Sequence, residues 1–298
     1  MKRNRKPSPE AICATAVYRN ESAMPIGGGM ARWALDNISW HGFDRAKLDP
    51  ELVRIVKAAA VVEFNGGAYA HHLCRVFADD PAFQASARRW GDEEIQHGQA
   101  LARWAQLADP AFDFAAAFAR FRQGYHIDFD RDRSRRGSRT GEMVARCIVE
   151  TATSSYYSAL ADAAEEPVLK EICRNIAADE VRHYKLFYRT LIRYRERESI
   201  GFWRRLYIAL GRLAESEDDE LAYAYYAANA AAEPYDRRHY GRAYARRAFA
   251  LYREPHVVRG VKMLFRVVGL ATNSRISRIA GRLAWFAMRR CAARLADA

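Results

Sequence analysis

The run Trp90-Gly91-Asp92-Glu93-Glu94-Ile95-Gln96-His97-Gly98 reads as the middle of a helix whose apolar face carries charge. Positions 90, 94, 97, 101 and 104 are Trp, Glu, His, Leu and Trp, and steps of four and three set them in one row. Further along, Ile172, Ile176, Glu180, His183 and Phe187 repeat the device. Two more segments complete a set of four. Met143, Cys147, Glu150, Ser154, Tyr157 and Ala161 share one face, as do Val56, Ala60, Glu63, Gly67, Ala70 and Cys74. The helical segments span roughly 49–77, 82–108, 140–163 and 167–197. Each places one Glu in its core stripe, and two add a His one turn later. Nineteen glutamates and eight histidines in 298 residues would give a Glu-x-x-His pair by chance less than once. Two such pairs, matched by two more core-stripe glutamates, mark a site.

Four carboxylates crowded inside a bundle cannot all stay ionised unless cations sit among them. Two divalent ions would balance Glu63, Glu94, Glu150 and Glu180. Mixed carboxylate and imidazole ligation with open positions suits two iron ions, with manganese as the alternative at one site. In the expected arrangement Glu94 and Glu180 bridge or clamp the pair, His97 and His183 each serve one ion, and Glu63 and Glu150 are terminal. Two helical hairpins joined by one long crossover is the connectivity of ferritin-like bundles, whose di-metal members use this ligand pattern. The expected fold class is therefore all-α: a ferritin-like four-helix bundle over 45–200. A tail and irregular lead-in over 1–44 precede it, and additional basic C-terminal helices over 201–298 follow.

Composition agrees and narrows the choice. The chain is 50% hydrophobic, with only 17 Gly and 9 Pro, which favours helices around a sizeable core. A mean hydropathy of −0.37 and Arg-interrupted apolar segments argue against a polytopic membrane protein. Cys13, Cys74, Cys147, Cys173 and Cys291 are widely spaced and form no Cys-x-x-Cys, against a disulfide framework, a zinc ribbon or an iron–sulfur cluster. No apolar run long enough for a signal peptide follows the basic N-terminus. A cytoplasmic protein is expected, or one peripheral to a membrane.

The formal charge is +12, and residues 240–298 hold twelve Arg and one Lys against Glu254 and Asp297. Apolar residues at helical spacing alternate there with Arg259, Lys262, Arg266, Arg275, Arg278 and Arg282. The bland reading is a pair of helices packed on the bundle with their arginines in solvent. The functional readings are docking of an acidic carrier protein or of an anionic membrane surface; no nucleic-acid module is present. The charged stretch Asp128–Gly141 reads as a solvated loop, and Asp236-Arg237-Arg238-His239 as surface. His71 and His72 read as outside the ligand set. Trp90 and Trp104 are the aromatic candidates for an electron route to the metals.

The local motifs go further than spacing. Residues 90–98 resemble the W-x-x-E-E-N-R-H-G signature of the soluble acyl-acyl-carrier-protein desaturases, with Gln96 in place of Arg. Ile176–His183 resembles their I-A-A-D-E-K-R-H, and Glu150-Thr151-Ala152-Thr153 their E-R-A-T. The resemblance covers roughly residues 45–200. It implies a non-haem di-iron oxidoreductase that activates dioxygen and desaturates a fatty acyl chain on acyl carrier protein. It also implies a ferredoxin-type electron donor and a catalytic role for Thr153 beside the oxygen pocket. A homodimer is compatible with it. The rival expectations are a related di-iron hydroxylase or N-oxygenase on another substrate, and a ferritin-like metal-binding or peroxide-reducing protein.

Overall fold

A computed structural model of the chain describes residues 33–125, 133–215, 219–230 and 232–296, and every regular element among them is a helix. The first bundle helix is split into α1 (Pro50–Phe64) and α2 (Gly66–Val76). The second is α3 (Pro81–Ala108), which packs along both. The crossover contains α4 (Phe114–Gly124), and the second hairpin is α5 (Arg139–Ala163) with α6 (Pro167–Glu198). These bounds follow the sequence reading closely because the start signals are strong. Asp49, Asp80 and Glu166 cap α1, α3 and α6, each followed by Pro in the first turn, and Ser138 caps α5.

After α6 the chain turns at Ser199, which has a left-handed φ of 51°. Five helices follow: α7 (Phe202–Ala214), α8 (Asp219–Asn229), α9 (Arg237–Ala250), α10 (Glu254–Val268) and α11 (Arg275–Ala296). They clothe the bundle. Helix α8 covers α1, α7 and α10 lie on α5, and α11 packs on α10 and α9. The described residues thus form an all-α bundle with additional C-terminal helices.

The charged crossover is less free than its composition implies. Its first part, through Asp132, lies outside the described residues, but Arg136 pairs with Glu215 of the acidic run and Arg139 reaches Asp79 and the Val76 carbonyl. Residues 33–47 form three short 3-10 turns against the bundle, fixed by bonds from the Asp44 and Ser39 backbone to Glu166 and Glu171.

The core has two apolar halves. One gathers Val56, Leu101, Trp104, Leu160 and Ile176; the other gathers Leu73, Phe83, Met143, Phe187 and Leu191. Between them lies a layer of buried charge.

Candidate metal centre

That layer holds all six residues singled out from spacing: Glu63, Glu94, His97, Glu150, Glu180 and His183 are all buried, His97 completely. The inward rows of α3, α5 and α6 fall as the periodicity requires, with Trp90, Leu101, Trp104, Met143, Cys147, Ser154, Tyr157, Ala161, Ile172, Ile176 and Phe187 buried. The first helix departs from expectation beyond Glu63. Past the break at Asn65, Ala70 is buried as expected, but Gly66 and Leu73 are buried in place of Gly67 and Cys74, which are half-buried.

The break is tied to close contact with α3. A Cβ on Gly66 would lie 2.2 Å from the Glu94 Cβ, and one on Gly98 would lie 2.5 Å from the Phe64 backbone nitrogen. Only glycine permits that approach, and it brings Glu63 beside Glu94 and His97.

Two overlapping quartets result. Glu63, Glu94, His97 and Glu180 each offer a ligand atom, all within 4.8 Å of one another; so do Glu94, Glu150, Glu180 and His183. Glu94 and Glu180 belong to both. Nδ1 of His97 faces Glu180 Oε1 at 3.4 Å, Glu63 Oε2 at 3.5 Å and Glu94 Oε2 at 3.8 Å. Nδ1 of His183 faces Glu94 Oε1 at 3.0 Å, Glu150 Oε2 at 3.6 Å and Glu180 Oε1 at 3.8 Å.

The far nitrogens are held crosswise. His97 Nε2 lies 3.1 Å from Asp179 Oδ2, and His183 Nε2 lies 2.7 Å from Glu93 Oε2. Each outer carboxylate is the residue preceding the central Glu of the opposite helix. A carboxylate behind a histidine fixes its ring and leaves the other nitrogen free for a metal. Arg182 spans both outer carboxylates, at 2.8 Å from Asp179 and 3.5 Å from Glu93.

Electrostatics forbid full ionisation. Burial pushes the Glu63 carboxyl up to about 8, aided by the Glu94 charge. Burial also raises Glu150 and Glu180, with Glu180 and Glu94 respectively as the next cause. For Glu94 the upward push of burial is outweighed by His183 and His97, which hold it well below the usual range. Burial alone would lower both histidines, but the surrounding carboxylates hold them well above the imidazole range.

Unpartnered atoms test whether this layer suits a metal. Glu63 Oε2, Glu94 Oε1, His97 Nδ1, both Glu150 oxygens, Glu180 Oε1 and His183 Nδ1 are buried without a hydrogen-bond partner. Glu166 is the contrast: equally buried, it accepts from Trp104 Nε1, the Asp44 backbone and its own helix start. Buried polar atoms are nearly always satisfied, so seven orphans converging on one layer are the mark of a cation site. Oxygen and imidazole donors fit iron or manganese.

Several neighbours of the cluster carry no signal in residue spacing. Trp33 stacks on His97 at 5.9 Å, and its indole N–H donates to Asp179. Tyr157 donates to Glu63 at 2.6 Å. Asp179 and Glu93 could have been found from the acid that precedes Glu in both motifs; Trp33 could not, since nothing local ties it to the bundle. Gln96, which stands where the resembled motif has Arg, donates to the Trp33 carbonyl. Thr153 donates to Glu180 Oε2 at 2.5 Å. Trp90 stands edge-on to His183, whereas Trp104 is turned to Glu166, away from the cluster. His71 is exposed, His72 is in neither quartet, and Asp236 caps α9 at the surface.

Residues 69–199 match the family model described as fatty acid desaturase. No curated protein matches the chain. The matched stretch takes in five of the six cluster residues and begins after Glu63, whose place rests on the geometry alone. By this match and by its buried carboxylate–histidine cluster, the chain fits the ferritin-like di-iron desaturase-type superfamily.

Proposed function

We propose that the protein is an oxygen-activating non-haem di-iron oxidoreductase that desaturates a fatty acyl chain carried on acyl carrier protein. The observation that carries the reading is the convergence of seven unpartnered buried atoms from six side chains on one layer. Glu63 and His97 would hold one ion and Glu150 and His183 the other, with Glu94 and Glu180, common to both quartets, between them. Two divalent ions neutralise four carboxylates. When bound, the iron pair supplies the reduction of dioxygen and the removal of hydrogen from an unactivated carbon.

The chain's own residues do the rest. Asp179 and Glu93 keep each imidazole turned with Nδ1 inward. Tyr157 and Thr153 each donate to one oxygen of a ligand carboxylate, Glu63 and Glu180, and so leave the other oxygen for metal. The apolar halves of the core above and below the layer exclude water, which protects reactive species from side reactions. Acyl carrier protein as the carrier and a ferredoxin-type donor are proposed from the motif resemblance and the chain's excess of positive charge.

The test is product analysis. Reduced, iron-loaded protein is incubated with a panel of acyl carrier protein thioesters under air, and products are read by mass spectrometry. Loss of two hydrogens from the acyl chain supports the reading. Gain of one oxygen would place the chain among hydroxylases. Rapid iron oxidation by peroxide with no organic product would make it a peroxide-reducing metalloprotein.

A further inference from the structure

We propose that the C-terminal layer docks on an anionic lipid bilayer, with α7 and α11 lying along the membrane surface. Among the described residues ten large apolar side chains are exposed, and eight of them sit on these two helices. On α11, Ile276, Ile279, Leu283 and Phe286 recur at steps of three and four and are 57–69% exposed. At about 100° per residue, this row lies across the helix from Ser277 and Gly281, which are buried where α11 meets α10. On α7, Trp203 and Tyr207 are 78% and 73% exposed, on the side opposite the buried Ile208 and Ala209. Both helices pack against α10 and so flank one element.

Charge selects the occupant. Neither helix contains an acidic residue. Helix α11 adds Arg275, Arg278, Arg282, Arg289, Arg290 and Arg294, all exposed, and two of them lie over the Trp285 and Phe286 rings. A second copy of the chain, meeting this face about a two-fold axis, would set the arginines against one another. An acidic carrier protein would match the arginines but has no reason to cover a row of Ile, Leu and Phe on one helix and Trp and Tyr on another. A bilayer does both: headgroup phosphates take the guanidinium groups, and the acyl boundary takes the apolar rows. No described helix is long and apolar enough to cross a membrane, so the contact runs along the surface. The inference does not depend on the metal reading. It moves any carrier docking off these two helices.

The test is co-sedimentation of the full chain with vesicles of phosphatidylcholine alone and of phosphatidylcholine mixed with phosphatidylglycerol. Binding is expected only to the mixed vesicles and falls as salt rises. Two double variants probe the two components: Leu283→Asp with Phe286→Asp, and Arg278→Glu with Arg282→Glu. Each is expected to weaken partition at least about tenfold. Circular dichroism should show unchanged helix content, because all four side chains are exposed. Equal partition of wild type and variants, or none onto mixed vesicles, overturns the proposal. So does retention on immobilised acyl carrier protein, or a concentration-dependent dimer, that these substitutions abolish while vesicles fail to bind.

Discussion

The two halves of the buried cluster use the same groups and close in different ways. Around His183, the contacts among the described residues come from the bundle: Glu93 behind the ring, Arg182 across Glu93, and Trp90 edge-on. Around His97, the closing groups come partly from outside it. Trp33, from the lead-in before α1, stacks on the ring and shares Asp179 with it, and Gln96 holds the Trp33 backbone. Arg182 follows the outer acid of its motif by three residues and reaches both outer carboxylates; Gln96, at the same place in the other motif, instead anchors the lead-in. Among the described residues, one half is therefore closed by the bundle helices, while the other is completed by Trp33 of the lead-in.

Shared and private ligands separate the halves most sharply. Glu94→Ala or Glu180→Ala should abolish iron loading at both positions, read as metal per chain after anaerobic reconstitution. Glu63→Ala and Glu150→Ala should each leave about one ion, since each residue belongs to one quartet; spectroscopy of the remaining iron should differ between them. Below these come the residues behind the rings. Asp179→Asn and Glu93→Gln should each weaken metal affinity by about 10- to 100-fold, as loss of an outer carboxylate does elsewhere. Gly98→Ala should destabilise the fold by about 1–3 kcal/mol, because its Cβ meets the Phe64 backbone and the helices must part. Its thermal unfolding and iron content should fall together, with the His97 side affected first. Smallest is Trp33→Phe, which keeps a ring on His97 but drops the bond to Asp179; about 1 kcal/mol is expected, with no change at the His183 side.

The asymmetry also explains what was legible in the sequence. The bundle helices were readable because periodicity, proline starts and caps agree from Asp49 to Glu198. The six cluster residues were readable because each sits in a core stripe where charge is out of place. The burial of Gly66 and Leu73 in place of Gly67 and Cys74 was not, since it goes with the close approach of the Gly66 backbone to the Glu94 side chain and leaves no mark in spacing. Trp33 was not readable either: its role comes from a contact with Asp179 that is distant in sequence. Tyr157 was visible as a core residue, but its hydroxyl's bond to Glu63 depends on how α5 faces α1. The basic C-terminal helices were legible as charge, and their exposed apolar rows became visible only once their packing was known.

A two-ion centre in the buried layer would demand a fixed metal stoichiometry. Anaerobic ferrous titration of the full chain, followed by metal analysis after gel filtration, reads that stoichiometry. Close to two iron ions per chain are expected, and none retained in Glu94→Ala. Iron at background level in the wild-type chain, or equal loading of wild type and Glu94→Ala, would contradict a two-ion centre.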